Sequence, residues 1–572
     1  MGNLFDVKTR NELADVLNIP RRHLTYILYI QRPDNCYTTF EIPKKSGGIR
    51  IISAPSSALK EIQVTLAEKL WECQQKIWQQ YNIQPNIAHA FIPKKSTITN
   101  AQIHCKKRYV LNLDLKDFFD HFHFGRVMGY FEKNNNFCLP HEVAVVITQL
   151  ACYKGRLPQG APTSPIITNL ICQILDMHLL SIAKKYKVDY TRYADDLTFS
   201  TNRRTFEDDI PQFLVEIQRE VQGFGFEINE KKTRLQFRNS RQEVTGLIVN
   251  KKLNVPHLFY KNTRAMANQL YKTGHFYIDS SEGTLNQLEG RFSYIDQLIK
   301  HNNRLDGEKH NQHLLSTRER QYQKFLFYKY FFANPQPLLV TEGKTDEIYL
   351  KAAIRSLGRE YPALAKLDST GNYIWKCRFF HQSRRLEYFF DISYDGADAM
   401  KNIYNLHTGK NGFPPYLSFF TKASGHTPQN PTILLYDNET KSNRPLNKFF
   451  SYIGADRDTS LDGLDYREAL QKNLYLQLLK ESKLYLATVP LTSGKAECEI
   501  EDLFPDDVLA VQINDKTFSR KDTFDISLYY GKNIFAQYVN AHWQEIDFSE
   551  FRPLLDALQT IVLAQESILL NA

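Results

Sequence analysis

Two adjacent acids, Asp195 and Asp196, stand in "DYTRYADDLTFS" (189–200), a stretch that reads as strand, tight turn, strand. A third, Asp114, interrupts the apolar run "RYVLNLDL" (108–115), where an uncompensated carboxylate is costly to bury. Strand-end acids from distant parts of a chain converge only if their strands are neighbours in one sheet. Phosphoryl transfer uses such a convergence, because two cations about 3.5–4 Å apart activate an attacking oxygen and neutralise a leaving pyrophosphate. Mg2+ prefers carboxylate oxygen and keeps several waters, so two or three acids suffice. An isolated Asp-Asp in a turn is ordinarily solvated, but Tyr193, Leu197 and Phe199 flank this pair as core residues would. A second set lies further on. "LLVTEGKTDEIYL" (338–350) reads as a strand ending in Glu342-Gly343, then a helix opened by Thr345-Asp346; "TILLYDNE" (432–439) reads as a strand ending in Asp437 and Glu439. Carboxylates at the strand ends of a parallel α/β sheet sit at the edge where ligands bind. For this second set an ordinary capped helix with loop acids stays open as the alternative.

Several elements must position these acids. Residues 10–31 read as helical, and 37–53 as two strands joined by Gly47-Gly48. A helix follows from Ser57 to Gln80, with an apolar stripe through Leu59, Ile62, Leu66 and Leu70. Another long helix starts at the Ser/Thr/Pro-rich "PTSPIITNL" (162–170), and an acidic one lies near 205–222. A strand pair around 236–250 and helices to about 330 follow. After "NPQP", at Asn334, the pattern restarts with strands 338–341, 432–436 and 484–489 alternating with helices, the rhythm of a parallel α/β domain. The expected divisions are 1–250, 251–334 and 335–572.

A chain of 572 residues exceeds one ordinary core, and 42% hydrophobic with 24% charged residues excludes wholesale disorder. No uninterrupted apolar run reaches the roughly 18 residues of a membrane span, and the first residues lack a basic-then-apolar signal. The expectation is a cytoplasmic protein with no membrane partner. Eight scattered cysteines without a CxxC pair read as reduced thiols. Residues 1–330 carry 46 Lys and Arg against 32 Asp and Glu, whereas the remainder carries 26 against 31. The first part is therefore the nucleic-acid binder to expect, with "KKYK" (184–187) and "KKTRLQFR" (231–238) mixing cations and aromatics.

"YADD" resembles the Y-x-D-D motif of reverse transcriptases, and its neighbours follow in that family's order across roughly 20–330. "LNLDLKDFF" (111–119) resembles the first palm motif. The resemblance makes Asp114 the partner ligand of Asp195 and Asp196, places Asp117 beside the nucleotide, and makes Phe119 the bulk that excludes a ribose 2′-OH. "LPQGAPTSPIITNL" (157–170) resembles the next motif, which implies that Gln159 and Gly160 lie against the nascent base pair. "GFEINEKKTRL" (225–235) resembles the following one, with Lys232 compensating charge or donating a proton at the pyrophosphate. "IPKKSGGIRIISAPSSALKEIQ" (42–63) resembles the fingers motif, with Lys44 and Arg50 clamping the triphosphate. "NAQIH" (100–104) and "VTG" (244–246) are similar to the motifs that mark retron reverse transcriptases. They imply RNA-binding roles for Asn100, Ala101, His104, Val244, Thr245 and Gly246.

The Glu342-Gly343 turn with the later D-N-E resembles the Toprim domain, whose second motif is D-x-D; "GADAM" (396–400) resembles its intermediate glycine turn. "ECEIEDLF" (497–504) adds Glu501 as a further candidate. The implied fold is multidomain α+β: a right-hand reverse transcriptase of fingers, palm and thumb (251–334 supplying thumb and linker), then an α/β Toprim domain with a Rossmann-like parallel sheet. The implied function is retron RNA-directed DNA synthesis from a 2′-OH, giving branched msDNA, joined to a Mg2+-dependent nuclease in anti-phage defence. Mg2+, dNTPs, a cognate structured noncoding RNA and its msDNA are the expected cofactor and partners. The nuclease target (DNA, mRNA or tRNA), the activity of the D-N-E variant and a homo-oligomer with msDNA stay open. So do two rivals, a catalytically silent Toprim-like scaffold and a group II intron-like enzyme.

Overall fold

In the computed structural model, which describes residues 3–43, 47–83, 86–307, 314–392, 398–439, 441, 443–454, 466–492, 494–521 and 523–570, the chain divides into units Met1–Phe259 and Tyr260–Ala572. Lys44 and the first residues of "GADAM" lie outside the described residues. Gly47 and Gly48, at φ 85° and 86°, turn strand β1 (Tyr37–Pro43) onto β2 (Ile49–Pro55), pairing Pro43 with Ile49 and Tyr37 with Pro55. The helix expected over 10–31 is broken into Arg10–Val16 and Arg21–Thr25, the latter running on as a wider turn through Gln31. Pro20 immediately precedes the second piece, where it cannot donate to the helix before it.

Helices α1 (Ser57–Gln80) and α2 (Thr97–Ile103) precede strand β3 (Tyr109–Asp114). Then come α3 (Ser164–Tyr186), β4 (Asp189–Tyr193), β5 (Asp196–Thr201), α4 (Phe206–Gly223) and β6 (Arg234–Phe237). The four strands form an antiparallel sheet in the order β4-β5-β3-β6. Its register sorts side chains by the period of two. Leu111, Leu113, Tyr190, Leu197 and Phe199 share one face, the core face, with Arg192. Asp114, Asp196, Asn112, Thr191, Thr198 and Ser200 share the other. By length and composition α3 could cross a membrane, but 61% of its apolar window is buried within the protein.

The polar face explains the two short motifs. His104 is fully buried just beyond α2, with Nδ1 bonded to Ser200 Oγ and Nε2 to Thr191 Oγ1, both at 2.7 Å. Thr245 (φ 46°) and Gly246 (φ 79°) form the two-residue turn between β7 (Glu243–Val244) and β8 (Leu247–Ile248), a left-handed pair of the kind hairpins use. Thr245 Oγ1 donates to the Thr97 carbonyl on α2 at 3.3 Å. Asn100, Ala101, His104 and Val244 are each at most 1% exposed, which corrects the expectation that they touch RNA: as placed, they hold α2 and this hairpin to the sheet. Only Thr245 and Gly246 reach the surface.

Helix α5 (His257–Thr273) begins three residues before the second unit, in which helices α6 (Leu285–Leu305) and α7 (Thr317–Phe327) precede strand β9 (Leu338–Thr341) and helix α8 (Lys344–Leu357). Strands β10 (Arg378–Phe379), β11 (Thr432–Tyr436), β12 (Tyr475–Leu479) and β13 (Leu484–Thr488) complete a sheet ordered β10-β9-β11-β13-β12, parallel except for edge strand β12. Both faces are covered, as parallel sheets require. Leu338, Val340, Leu434 and Tyr436 join one core with Leu270, Phe292, Phe325 and Phe331; Leu339, Ile433 and Leu435 join another with Tyr349, Phe504 and Phe535. The division expected at Asn334 thus falls inside a unit, because the helices before it lend their apolar faces to the sheet after it. All eight cysteines are free.

Burial pushes His104 down to about 3 from 6.5, so the folded chain holds it neutral while the unfolded chain protonates it. Its contribution to stability is present above about pH 6.5 and is lost as pH falls toward 3, by up to about 1.4 kcal/mol per pH unit. His104→Gln should flatten the acid dependence of the first unit's unfolding midpoint between pH 6.5 and 4.5; identical slopes in variant and native protein would contradict the buried neutral imidazole.

Candidate active sites

At one end of the polar face Asp114 and Asp196 are direct cross-strand partners, and Asp195 sits in the turn between β4 and β5. The preceding Ala194 has φ 56°, a left-handed conformation that costs a residue with a Cβ roughly 1–2 kcal/mol. Leu115 N–H donates to the Asp195 carbonyl at 2.9 Å, and Asn229 N–H to that of Asp114 at 2.8 Å. Lys232 Nζ reaches Asp114 Oδ2 at 2.8 Å. Burial, then repulsion from Asp195 and Asp114, raises Asp196 to about 7. Asp195 is raised too, chiefly by burial and then by Asp114, against the pull of Lys232 and Arg50.

The expected nucleotide side is assembled around β2. Ser53 N–H donates to the Gln159 carbonyl at 2.8 Å, and Gly160 has φ 127° with Ser53 O only 2.6 Å from where a Cβ would lie. Only glycine fits this approach of the 157–160 loop to the hairpin. Arg50 is exposed on β2, close enough to favour ionised Asp195. Asp117 is exposed at φ 44°, and Phe119 is half-buried, edge-on to Phe118 at 5.4 Å.

The second unit gathers a larger acidic cluster. Glu342 follows β9 and Asp437 follows β11, two adjacent parallel strands. Glu342 is raised to about 7 by burial and then by Asp346, with the Asp437 N–H opposing, and its Oε2 is buried with no hydrogen-bond partner among the described residues. Asp437 is driven well up by burial and by Asp346, Glu342 and Glu501; its Oδ1 accepts from Ile500 N–H at 2.9 Å. Asp346 accepts from Gly343 N–H at 2.8 Å, capping α8, and is raised to about 7, first by burial. A cation in contact with this cluster is Lys532, 3.1 Å from the fully buried Glu501 and 3.2 Å from Glu499, at the start of helix α9 (Lys532–Ala541). Glu439 is drawn aside: it is buried against Arg444 Nε at 3.2 Å, although its charge still reaches Glu342. Asp346 and Lys532 are the residues the sequence reading misses. The signal for Asp346 is its place three residues after Gly343, at the same strand end; Lys532 carries none.

Both clusters have the hard oxygen donors that Mg2+ takes, and in both the buried negative charge exceeds the cations facing it. Among the described residues no three His, Cys, Asp or Glu side chains close around a common point as metal ligands do, so the carboxylates must turn to share an ion. The raised values above are how such charge is relieved otherwise, by holding protons.

Residues 42–251, within the first unit, match the family reverse transcriptase (RNA-dependent DNA polymerase). The chain is 34% identical over 277 residues to the retron Mx65 reverse transcriptase of Myxococcus xanthus, covering 46% of this chain and 61% of that one. It is 32% identical over 281 residues to the retron Mx162 reverse transcriptase of the same organism, covering 44% and 55%. With the retron Ec86 reverse transcriptase of Escherichia coli it shares 32% identity over 270 residues, covering 46% and 78%. The chain thus spans under two thirds of the length of either Myxococcus relative.

Because Asp196 is raised from 3.8 to about 7, the metal-free folded state binds its proton more tightly than the unfolded chain does. The stability this proton lends is present below about pH 4 and lost as pH rises through 7. Asp196→Asn should therefore stabilise the metal-free chain at pH 8, by at most about 4 kcal/mol, with the gain vanishing near pH 4. A thermal melt at pH 8 in chelator that showed no gain would mean the like-charge strain is absent.

Proposed function

Because the chain belongs to the retron reverse transcriptases, one member being 32% identical and covered over 78% of its length, we propose that its first unit copies a cognate structured noncoding RNA into branched msDNA. In this reading synthesis starts from a guanosine 2′-OH within that RNA and uses dNTPs. The observation that carries it is the register of β3 and β5, which sets Asp114 opposite Asp196 with Asp195 at the turn beside them. Asp114, Asp195 and Asp196 would hold Mg2+, which when bound supplies the charge that activates the attacking oxygen and neutralises the pyrophosphate. Lys232, already on Asp114, compensates negative charge or gives a proton to the leaving group. Arg50, with Lys44, draws the triphosphate in, and Phe119 excludes a ribose 2′-OH. Gly160 lets the 157–160 loop meet β2 without a side chain between them, leaving Gln159 beside the nascent pair. The excess of cations in the first 330 residues suits a grip on RNA backbone.

The second unit reads as a Toprim-type, Mg2+-dependent nuclease that msDNA restrains until a phage activity disturbs it. What supports this is a carboxylate cluster at the C-terminal ends of two adjacent parallel strands, where α/β sheets bind ligands. Glu342, Asp346, Asp437 and Glu501 would be the acids, and Lys532 a cation for a phosphate oxygen. One observation favours a second reading, a silent nucleic-acid scaffold: Glu439, the last acid of the D-N-E motif, is already neutralised by Arg444.

Asp195→Ala should abolish the branched RNA–DNA species that copurifies with the chain, while bound RNA changes less than about twofold, since groove contacts carry the affinity. Sequencing the copurified nucleic acid reads both, and normal amounts of branched DNA would sink the polymerase assignment. Glu342→Ala should remove nucleic-acid cleavage and any toxicity while leaving that DNA in place; survival of both activities would leave the scaffold reading in possession.

A further inference from the structure

The face of the first sheet opposite the acids carries one charged group among its leucines and aromatics. Arg192 is 1% exposed, the largest of the fully buried side chains. Its Nε and Nη2 grip Asp176 Oδ1 and Oδ2, each at 2.8 Å, Nη2 also reaches Asn169 Oδ1 at 3.2 Å, and Nη1 donates to the Ala194 carbonyl at 3.3 Å. The anchors are themselves fixed. Asp176, on α3, accepts from Tyr190 OH at 2.9 Å, and Asn169 donates to the Ala90 carbonyl at 2.9 Å. The Arg192 backbone is bonded on both sides to the 87–89 segment, donating to Ile87 O at 2.8 Å and accepting from His89 N–H at 2.9 Å.

A buried ion pair is a poor way to stabilise a core, since well-packed apolar residues of similar volume usually do as well or better. What they cannot do is donate to a carbonyl two residues along the chain. The Ala194 carbonyl belongs to the peptide plane joining Ala194 to Asp195, so holding it fixes ψ of Ala194 and φ of Asp195, and with them the direction in which the Asp195 side chain leaves the backbone. The next carbonyl, that of Asp195, is held from the other side by Leu115 N–H, one residue past Asp114. Two consecutive carbonyls of a turn strained at Ala194 are thus tied, one to helix α3 through the guanidinium and one to strand β3. The charge of Arg192 is paired bidentately with Asp176, and what it reaches of the turn is the Ala194 carbonyl, so its action on the acids is geometric.

We infer that Arg192, anchored by Asp176 and Asn169, is a positioning residue that sets the Ala194–Asp195 peptide plane and so holds Asp195 in register with Asp114. The inference rests on the polymerase reading for its consequence but not for its geometry.

The decisive variant is the pair Arg192→Met with Asp176→Leu in the full chain, which removes both buried charges together and keeps the volume. It should melt within a few degrees of the native protein and retain bound RNA. Hydrogen exchange at the amides of Leu115 and residues 194–196 should accelerate at least tenfold, while Leu111 and Phe199 in the strand interiors keep native rates. In primer extension on an RNA template, the Mg2+ concentration for half-maximal rate should rise at least tenfold, with KM for dNTP moving less than threefold. Native exchange at the turn, or an unchanged Mg2+ dependence, overturns the inference. Should the double variant fail to fold, Arg192→Lys carries the same two readouts: its ammonium satisfies Asp176 without the planar fork, so at least a threefold change in each is expected and none refutes it. If the unaltered chain extends no primer, the polymerase reading falls, and the exchange comparison still decides whether Arg192 holds the turn.

Discussion

Carboxylates gathered away from water repel one another, and much of this molecule is organised around making that repulsion bearable. At the first site Asp114, Asp195 and Asp196 face Lys232, and burial leaves Asp196 near 7. At the second, Glu342, Asp346, Asp437 and Glu501 face Lys532, with Glu342 and Asp346 near 7. Such groups survive only where backbone on every side over-determines their positions. That is why the acids sit at strand ends, in a turn or in the first turn of a helix, where neighbouring backbone is already committed: the Asp195 carbonyl to Leu115 N–H, and Ile500 N–H to the Asp437 carboxylate.

The two-residue period of a strand does the sorting in the first unit. One face takes leucines and aromatics against α3 and α4; the other takes hydroxyls, amides and acids. The same alternation that puts Asp114 and Asp196 together puts Arg192 among apolar side chains, where its charge demands a partner and finds Asp176. At the far end of the polar face, a histidine bridging two hydroxyls closes what would be a row of unpaired groups. Burial drives that imidazole neutral, which suits two hydroxyl partners better than a cation would.

The sequence alone carries most of the strands and the helices beginning at Ser57 and Ser164, because each rests on local signals such as apolar runs, Gly-Gly and a turn flanked by core residues, and the structure brings Asp114, Asp195 and Asp196 to one sheet end. The helix Ser57–Gln80 and the strands Leu338–Thr341 and Thr432–Tyr436 have the bounds read from the sequence. What is missed depends on tertiary partners. Asn100, Ala101, His104 and Val244 form a recognisable motif pair, yet a motif does not say whether its side chains face outward, and these face the sheet. Asp346 reads as a helix cap and is one, but the strand beside it makes it part of the acidic cluster. Lys532 lies too far along the chain for any spacing rule to join it to Glu342. The "NPQP" stretch has the composition of a linker, but Asn334 is buried because apolar helices on both sides of it need the same sheet.

The two acidic sites differ in how the cation in contact with them is held. Lys232 contacts one carboxylate through a single bond and its side chain is half exposed (51%), so it can leave Asp114 without unmaking anything else. Lys532 is shared between Glu499 and Glu501, less exposed (35%), and fixed at the first turn of α9, which packs against α8. Withdrawing it would take from the fully buried Glu501 the cation in contact with it, leaving the more distant charge of Arg520. The first arrangement leaves the cation free to exchange its partner. The second is tied into the fold through two acids and a helix start, so its charge state changes only with the packing around it.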